Sequence, residues 1–514
     1  MNKLNNSVSK FFSSKAIETS VLVVIIVLGF LIRTWHINFP IADWHSWRQA
    51  DTASVSRIYL DQGVNVLAPR YYDISRIQTG MLNPQGLRMV EFPIYNLIHV
   101  FFEKNFHLTS LPHVAFDKNL FKQKTNPFVF KSIEADSFVV WARLVTIFSA
   151  IITAFFLYLI GKKTISKWGG VMAAFFYLFM PYNIYFTRVV LPEPIGVAFL
   201  VSSLYFFIRF TENDKAWPIV LSGVLFALAT LIKPFVFFYS LPLLYLAFSK
   251  FGVKCIYQQT KLFIFATLAI VPFFVWRIWV NNFPEGIPHF DWAFNGDGIR
   301  FRPAFWNWIF AERIGKLILG MWGLILFGVG IVTTKKNNWF NLYFFLGSVL
   351  YVSVVATASV RHDYYQILII PSICLLLAQG VVYLWTNTSL NKILVRSVVV
   401  FSVFMMLLVG YYQTRGNYQI NHPEIIVAGA AVQKLTPKEA IVIAPYNGDT
   451  AFLYATNRFG YPVIDDSIEN MIKKGAQYYV SVNFDNDTNA LMKKYKTLEK
   501  TEKYVVVDLS KKGE

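Results

Sequence analysis

The stretch D-W-H-S-W-R-Q-A-D-T, residues 43–52, decides how this chain is read. It follows an apolar run, residues 17–37, of the length a bilayer core requires. Asp43, His45, Arg48, Gln49 and Asp51 are therefore crowded at the end of a span, where an ionisable group needs a partner or a task. On a helix, Arg48 and Asp51 stand three apart and share a face, and His45 lies one turn before Arg48. A carboxylate beside an arginine stays ionised and oriented, as a general base toward a hydroxyl must be. Nearby guanidinium groups can grip a phosphate through two parallel hydrogen bonds. The bland alternative is an interfacial salt bridge anchored by Trp44 and Trp47.

Outward from this stretch the chain is apolar. It is 55% hydrophobic and only 15% charged, with a mean hydropathy of +0.44, whereas soluble chains are about one-quarter charged. Ten further segments of spanning length follow 17–37: roughly 138–161, 167–186, 191–210, 216–232, 234–249, 261–280, 313–334, 338–357, 364–386 and 392–413. The net charge of +18 would suit nucleic acid, but its distribution points to a membrane and no nucleic acid. Alternate short loops hold Lys162, Lys163 and Lys167, then Arg209 and Lys215, then Lys250, Lys254 and Lys261, then Lys335 and Lys336, then Lys392 and Arg396. That is the bias of cytosolic loops. With Lys3, Lys10 and Lys15 also cytosolic, an odd number of spans leaves the C-terminus external. No small-residue cleavage site follows the first run, so it is expected to be retained. Cys255 and Cys374 fall in a loop and a span, which argues against a disulfide framework or a cysteine metal site.

The residues with chemical potential gather on the other side. A long first external loop, about 38–137, holds two helix-like pieces too short to span, 46–62 and 92–102, suited to the interface plane. Glu91 stands before the second, either as a dipole-favoured helix start or as another acid facing the first cluster. The turn T-R-V-V-L-P-E-P, 187–194, presents Arg188 and Glu193. Lys233, in L-I-K-P, opposes the charge bias, either snorkelling or meeting an anionic head group. The segment V-R-H-D-Y-Y-Q, 360–366, offers Arg361, His362, Asp363 and Tyr364 for phosphate and sugar hydroxyls. With His45, Arg48, Gln49 and Arg57 these are the binding candidates, and Asp51 and Asp43 are the catalytic ones. A second external loop, 281–312, is rich in Trp, Phe, Asp and Arg and reads as a rim or lid. The histidines and aspartates leave room for a divalent ion, but no spacing demands one, so no metal ligand is assigned.

Beyond residue 416 the pattern changes. Short apolar runs at 440–446, 477–482 and 504–509 read as strands, with helix-like segments 450–456 and 468–474 between them. Residues 417–514 are thus expected to form a small external α/β domain after a membrane module, 1–416. No phosphate-binding glycine motif marks it.

The order of these features resembles the GT-C glycosyltransferases: a first span, an acid-bearing interfacial helix, a second one opened by E-F-P-I-Y (91–95), then the L-P-E-P and I-K-P turns and H-D-Y-Y-Q before a late span. The resemblance runs over about 17–413, toward the bacterial branch related to protein O-mannosyltransferases and lipid A aminoarabinose transferases. It implies a polytopic α-helical membrane protein of GT-C type with about eleven spans. It implies a polyprenyl-phosphate-linked sugar donor and a glycan, lipid or protein acceptor. Transfer would occur with inversion, at the external face of a bacterial inner membrane. The first-loop acid would take the acceptor proton, and basic residues would hold the leaving lipid phosphate. Relatives place an acid, often an Asp–Glu pair, at the start of the first interfacial helix. This chain reads H-S-W-R-Q-A-D-T there, so Asp51, which shares a helix with Arg48, or Asp43 must supply it. An O-antigen polymerase or ligase would show its large loop late in the chain. A lipid or glycan transporter would show charges or broken spans at the midplane.

Overall fold

The computed structural model describes residues 15–116, 128–334 and 339–513; Lys3, Lys10, Lys335 and Lys336 lie outside them. Every marked apolar segment is helical. Among the described residues, seven helices are long and apolar enough to cross a membrane: Lys15–Arg33, Ser137–Thr164, Glu193–Asn213, Pro234–Phe251, Thr260–Val280, Asp363–Thr386 and Lys392–Tyr418. An eighth counts if the pair Pro303–Ile318 and Gly323–Val332, bent by 117°, is one span. The bend sits at Gly320 and Met321, both with positive φ, where the chain reverses against the backbone of Met406. Ala216–Ile232 and Phe340–Val354 are shorter apolar helices. The segment marked 167–186 is broken into Lys167–Phe179 and Pro181–Phe186, because Pro181 lacks the amide that would continue the first helix.

Ion pairs order the two ends of the bundle. Lys162 bonds Glu18 at 2.5 Å, Lys163 bonds Glu212 at 2.6 Å and Lys261 bonds Asp214 at 2.9 Å, so the first three basic loops gather at one end. Asp136 caps the helix Ser137–Thr164, and Ser166 caps the next, satisfying amides that lipid cannot. Helix packing relies on close backbone approach. A Cβ on Gly380 would lie 1.9 Å from the Leu326 carbonyl, and one on Gly330 would lie 2.0 Å from that of Leu376. Gly380→Val is therefore expected to cost about 1–3 kcal/mol through overpacking, read as a lower unfolding temperature in detergent.

At the opposite end the first loop folds over the bundle. The helix Ser46–Gln62 forms where the sequence places it, and the second, expected over 92–102, runs Ile94–Asn105, followed by an antiparallel strand pair, β1 (Ser110–Phe116) with β2 (Phe128–Glu134). The second loop breaks into short turns such as Asp291–Asn295. It joins the first loop through Met89 N to Gly286 O at 2.7 Å and His289 N to Gln78 O at 2.9 Å.

Residues 424–512 build a five-stranded sheet in the order β4-β3-β5-β7-β6, from β3 (Ile441–Ile443), β4 (Gly460–Tyr461), β5 (Ala476–Ser481), β6 (Tyr495–Lys500) and β7 (Val505–Lys512). Helices Glu424–Leu435, Thr450–Thr456, Ile468–Lys473 and Asn486–Lys494 accompany it. The unit is not a free appendage. The first loop extends its β4 edge through Gly460 N to Tyr72 O and Ile74 N to Gly460 O, at 2.9 and 3.0 Å, which covers an otherwise exposed edge. One apolar core unites Ala50, Ala53, Ile58 and Tyr72 of the loop with Ala428, Val432, Phe452 and Leu453 of the unit.

This docking buries acids. Burial pushes the Asp73 carboxyl up to about 7, against hydrogen bonds from Ser75 and with Asp51 adding to the rise. Burial likewise lifts Asp449 to about 6. Both folded values exceed the ordinary value near 4, so the folded chain holds extra protons, and stability present at low pH falls as pH rises through 6 and 7. Unfolding is expected at lower temperature at pH 8 than at pH 5.5, and Asp73→Asn should flatten that dependence. Thermal unfolding followed across the range checks both.

Candidate functional site

The helix Ser46–Gln62 carries the site. Its composition is polar, yet most of it is buried, including Arg48, Gln49 and Asp51. Buried polar groups must find partners, and those partners define four linked clusters.

The first cluster is ionic. Arg48 pairs with Glu91 and lies 3.4 Å from Glu193. Lys233 lies 2.8 Å from Glu193 and 4.0 Å from Glu91. Two cations and two carboxylates thus converge from the helix, the first loop and two span ends. Burial works against the Arg48 charge, but Glu193 and its other neighbours hold its pKa above the ordinary value. Among the described residues, Glu193 Oε2 is buried without a hydrogen-bond partner, a spare acceptor.

In the second cluster Asp51 is fully buried. Arg88 reaches its Oδ2 at 3.0 Å and Gln78 at 3.3 Å, and Thr450 donates to Oδ1 at 2.6 Å. Thr450 comes from the C-terminal unit, held by a turn in which Asp449 N bonds Tyr446 O at 2.8 Å. The acid expected to take a proton is therefore occupied by three donors.

The third centres on Asp43. Gln49 donates to its Oδ1 at 2.6 Å and accepts from Val190 N at 3.1 Å, while Arg188 stands 3.8 Å from Oδ2. Arg188 and Arg143 both donate to the His36 carbonyl at 2.9 Å.

The fourth joins the chain's distant parts. His45 Nε2 lies 2.5 Å from Asp363 Oδ1, and Trp44 Nε1 donates to the same carboxylate at 3.1 Å. Tyr364 and His362 flank the His45 ring, with centroids at 5.2 and 5.9 Å. Trp47 and Trp292 approach His362 at 5.8 and 5.6 Å. Burial and the neighbouring His45 bring His362 down to about 4, so it is neutral at physiological pH.

Two candidates stand apart. Arg57 stacks on Tyr454 at 4.1 Å and donates to its hydroxyl at 2.6 Å, so it fastens the C-terminal unit. Arg361 is half exposed and bonds Asp297 at 3.2 Å, and Thr357 donates to that acid at 2.5 Å, tying the second loop to the span entrance. Sequence reading missed Gln78, Arg88, Thr450 and Asp449 as site neighbours. Arg88, three residues before Glu91, carried the only local signal. Among the described residues, no three His, Cys, Asp or Glu side chains converge in a way that could hold a metal ion.

One space adjoins the ionic cluster, and a second lies along the helix that Glu193 opens. A cleft of about 20 Å³, enough for a water, is lined by Thr52, Arg88, Glu91 and Asn96. An apolar groove of about 480 Å³ runs along Ile98, Phe102, Phe148, Ile195, Phe199 and Leu221. Its lining reaches Ile195 in the first turn of the helix Glu193–Asn213, and Glu193 itself is not part of it.

Residues 131–279 match the sequence profile of the dolichyl-phosphate-mannose-protein mannosyltransferases. No curated protein matches. The fold is similar to that of ArnT from Cupriavidus metallidurans, solved apo and bound to undecaprenyl phosphate, with a TM-score of 0.62 at 12% identity over 96% of this chain and 98% of that one. It is also similar to the apo oligosaccharyltransferase of Archaeoglobus fulgidus, with a TM-score of 0.57 at 12% identity over 91% of this chain and 70% of that one. The expected GT-C architecture is present over nearly the whole chain, the C-terminal unit included.

Proposed function

From the premise that the chain is a multi-pass membrane protein of GT-C fold, we propose that it moves a sugar from a polyprenyl-phosphate donor to an acceptor hydroxyl. Transfer takes place with inversion, at the membrane face opposite the lysine-rich loops, which is the external face of a bacterial inner membrane. The acceptor is a glycan, a lipid or a protein.

The observation that carries this reading is the quartet of buried Arg48, Lys233 and Glu193 with partly buried Glu91. A departing lipid phosphate needs preorganised cations in a site shielded from water, and Arg48 and Lys233 are held ready by carboxylates rather than by solvent. Glu91 and the spare Oε2 of Glu193 can accept hydrogen bonds from sugar hydroxyls. The apolar groove beside Ile195 suits a prenyl chain. Asp51 and Asp43 set the loop in place through Arg88, Thr450, Gln49 and Arg188. The module of residues 1–416 supplies the donor side, and residues 417–514 complete the wall through Thr450 and Asp449.

The test is transfer from undecaprenyl-phosphate sugars carrying tritiated hexoses or pentoses, in membranes that supply the acceptor, with binding of undecaprenyl phosphate measured in detergent. Wild type is expected to bind and to transfer from one donor. Lys233→Ala is expected to weaken undecaprenyl phosphate binding at least tenfold. A chain that binds no undecaprenyl phosphate and transfers no sugar would overturn the reading in favour of a transporter.

A further inference from the structure

We infer that His45 and Asp363 form a proton-accepting dyad: His45 takes the proton of the acceptor hydroxyl, and Asp363 is the positioning residue that orients the imidazole. The inference rests on the transferase reading above and names the base for its reaction.

Four observations carry it. His45 Nε2 and Asp363 Oδ1 are 2.5 Å apart across 318 residues of chain. Asp363 is fixed twice more, by Trp44 Nε1 on its carboxylate at 3.1 Å and by Tyr182, whose hydroxyl donates to its backbone carbonyl at 2.7 Å. His45 adopts φ 57 and ψ 37, a left-handed conformation that is strained for a side-chain-bearing residue. Amides of Arg48 and Gln49 bonding the His45 carbonyl at 3.0 and 3.2 Å hold it there, and the resulting turn aims the ring at Asp363 instead of along the helix. The two aspartates nearest in sequence, Asp43 and Asp51, are committed. Asp51 is fully buried under three donors, and Asp43 is bound by Gln49 with Arg188 beside it. His45 keeps about 10% of its side chain accessible, and among the described residues no hydrogen bond engages its Nδ1.

The dyad is also in the right place. Tyr364 packs on His45 at 5.2 Å and on Tyr365 at 4.8 Å, and Lys233 lies over Tyr365 at 5.5 Å. Base and phosphate-binding cation thus lie on either side of one tyrosine pair, with Trp47, His362 and Trp292 as flat surfaces beside it. In the step, the acceptor O–H proton passes to His45 Nδ1 as its oxygen forms a bond to the anomeric carbon. The bond from that carbon to the phosphate oxygen breaks, and its electron pair leaves on the polyprenyl phosphate. The imidazolium so formed is stabilised by the Asp363 carboxylate, then loses its proton to water. The groups facing His45 are Asp363, His362 and Tyr364 from the 360–366 segment, Ser46 and Asp449 from the helix start and the C-terminal turn, and Arg313 through Asp363.

The experiment is kcat against pH for wild type, His45→Gln and Asp363→Asn in the transfer assay, with undecaprenyl phosphate binding alongside. Wild-type kcat should fall on the acid side along one ionisation. His45→Gln should lose that limb and at least about 100-fold in kcat, with binding within twofold of wild type. Asp363→Asn should move the limb to lower pH, since an imidazolium without its carboxylate gives up its proton more readily. A His45→Gln chain that keeps the limb or wild-type kcat, or an Asp363→Asn chain with an unmoved limb, overturns the dyad alone. A wild type that neither binds nor transfers overturns the transferase reading and the dyad with it.

Discussion

Arg48→Ala is expected to reduce transfer to background and to lower the unfolding temperature markedly. Arg48 is 3% exposed and answers two carboxylates, Glu91 and Glu193. Removing it leaves the buried Glu193 and the partly buried Glu91 with Lys233 as their one remaining cation among the described residues. Breaking a buried pair from one side costs about 3–5 kcal/mol, because the remaining charge is desolvated and uncompensated. The double change Arg48→Met with Glu91→Gln removes the orphaned charge as well as the cation, and stability should largely return. Transfer should not, because the phosphate has lost its guanidinium. Thermal unfolding and transfer measured on both variants separate the two roles. Transfer retained in the double variant would take Arg48 out of the donor site.

The second large effect is loss of the C-terminal unit. Ending the chain after residue 416 should abolish transfer and unfold the first loop, seen as rapid proteolysis within 38–137. The reason is the shared core: Ala50, Ala53, Ile58 and Tyr72 are buried partly by Phe452, Leu453, Ala428 and Val432. Arg57 would lose its stacking on Tyr454, and Asp51 would lose Thr450. The point change Thr450→Val isolates the last of these. It removes one buried hydrogen bond worth about 1 kcal/mol and should lower transfer several-fold while leaving the fold intact, with Thr450→Ser restoring it. A truncated chain with an ordered, active first loop would make the unit an independent appendage.

Much of the site was legible along the chain. The helix 46–62 could be read because its boundaries and spacing are local, and it forms over Ser46–Gln62. Glu193 and Lys233 stood out as charges at span ends, where each is expensive alone, and Glu91 as an acid before the second interfacial helix. Their convergence with Arg48 was not readable, since charge placement says which side of a membrane a residue occupies and nothing of its neighbour. The pairing within 43–52 differs from its local pattern. Spacing on the helix joined Arg48 to Asp51, but Arg48 turns to Glu91 and Glu193 while Asp51 takes Arg88. Helical spacing puts two side chains on one face, and stronger partners from another element can then claim each of them. Arg57 was counted with the binding residues because it is a cation on that helix. It faces Tyr454 instead, a contact that depends on where a unit almost four hundred residues later docks.

Hydrophobic periodicity and charge bias determined the apolar segments, the two faces of the bundle, the long first loop and the strands near 441, 476 and 505. These follow from burial and desolvation, which act on each short segment whatever its partners. Tertiary structure alone decided which acid meets which base: Asp51 under Thr450, Glu193 between Arg48 and Lys233, and His45 against Asp363. A buried charge is satisfied by whichever opposite group the packing of distant elements brings within about 3 Å, and that distance is a property of the assembled fold.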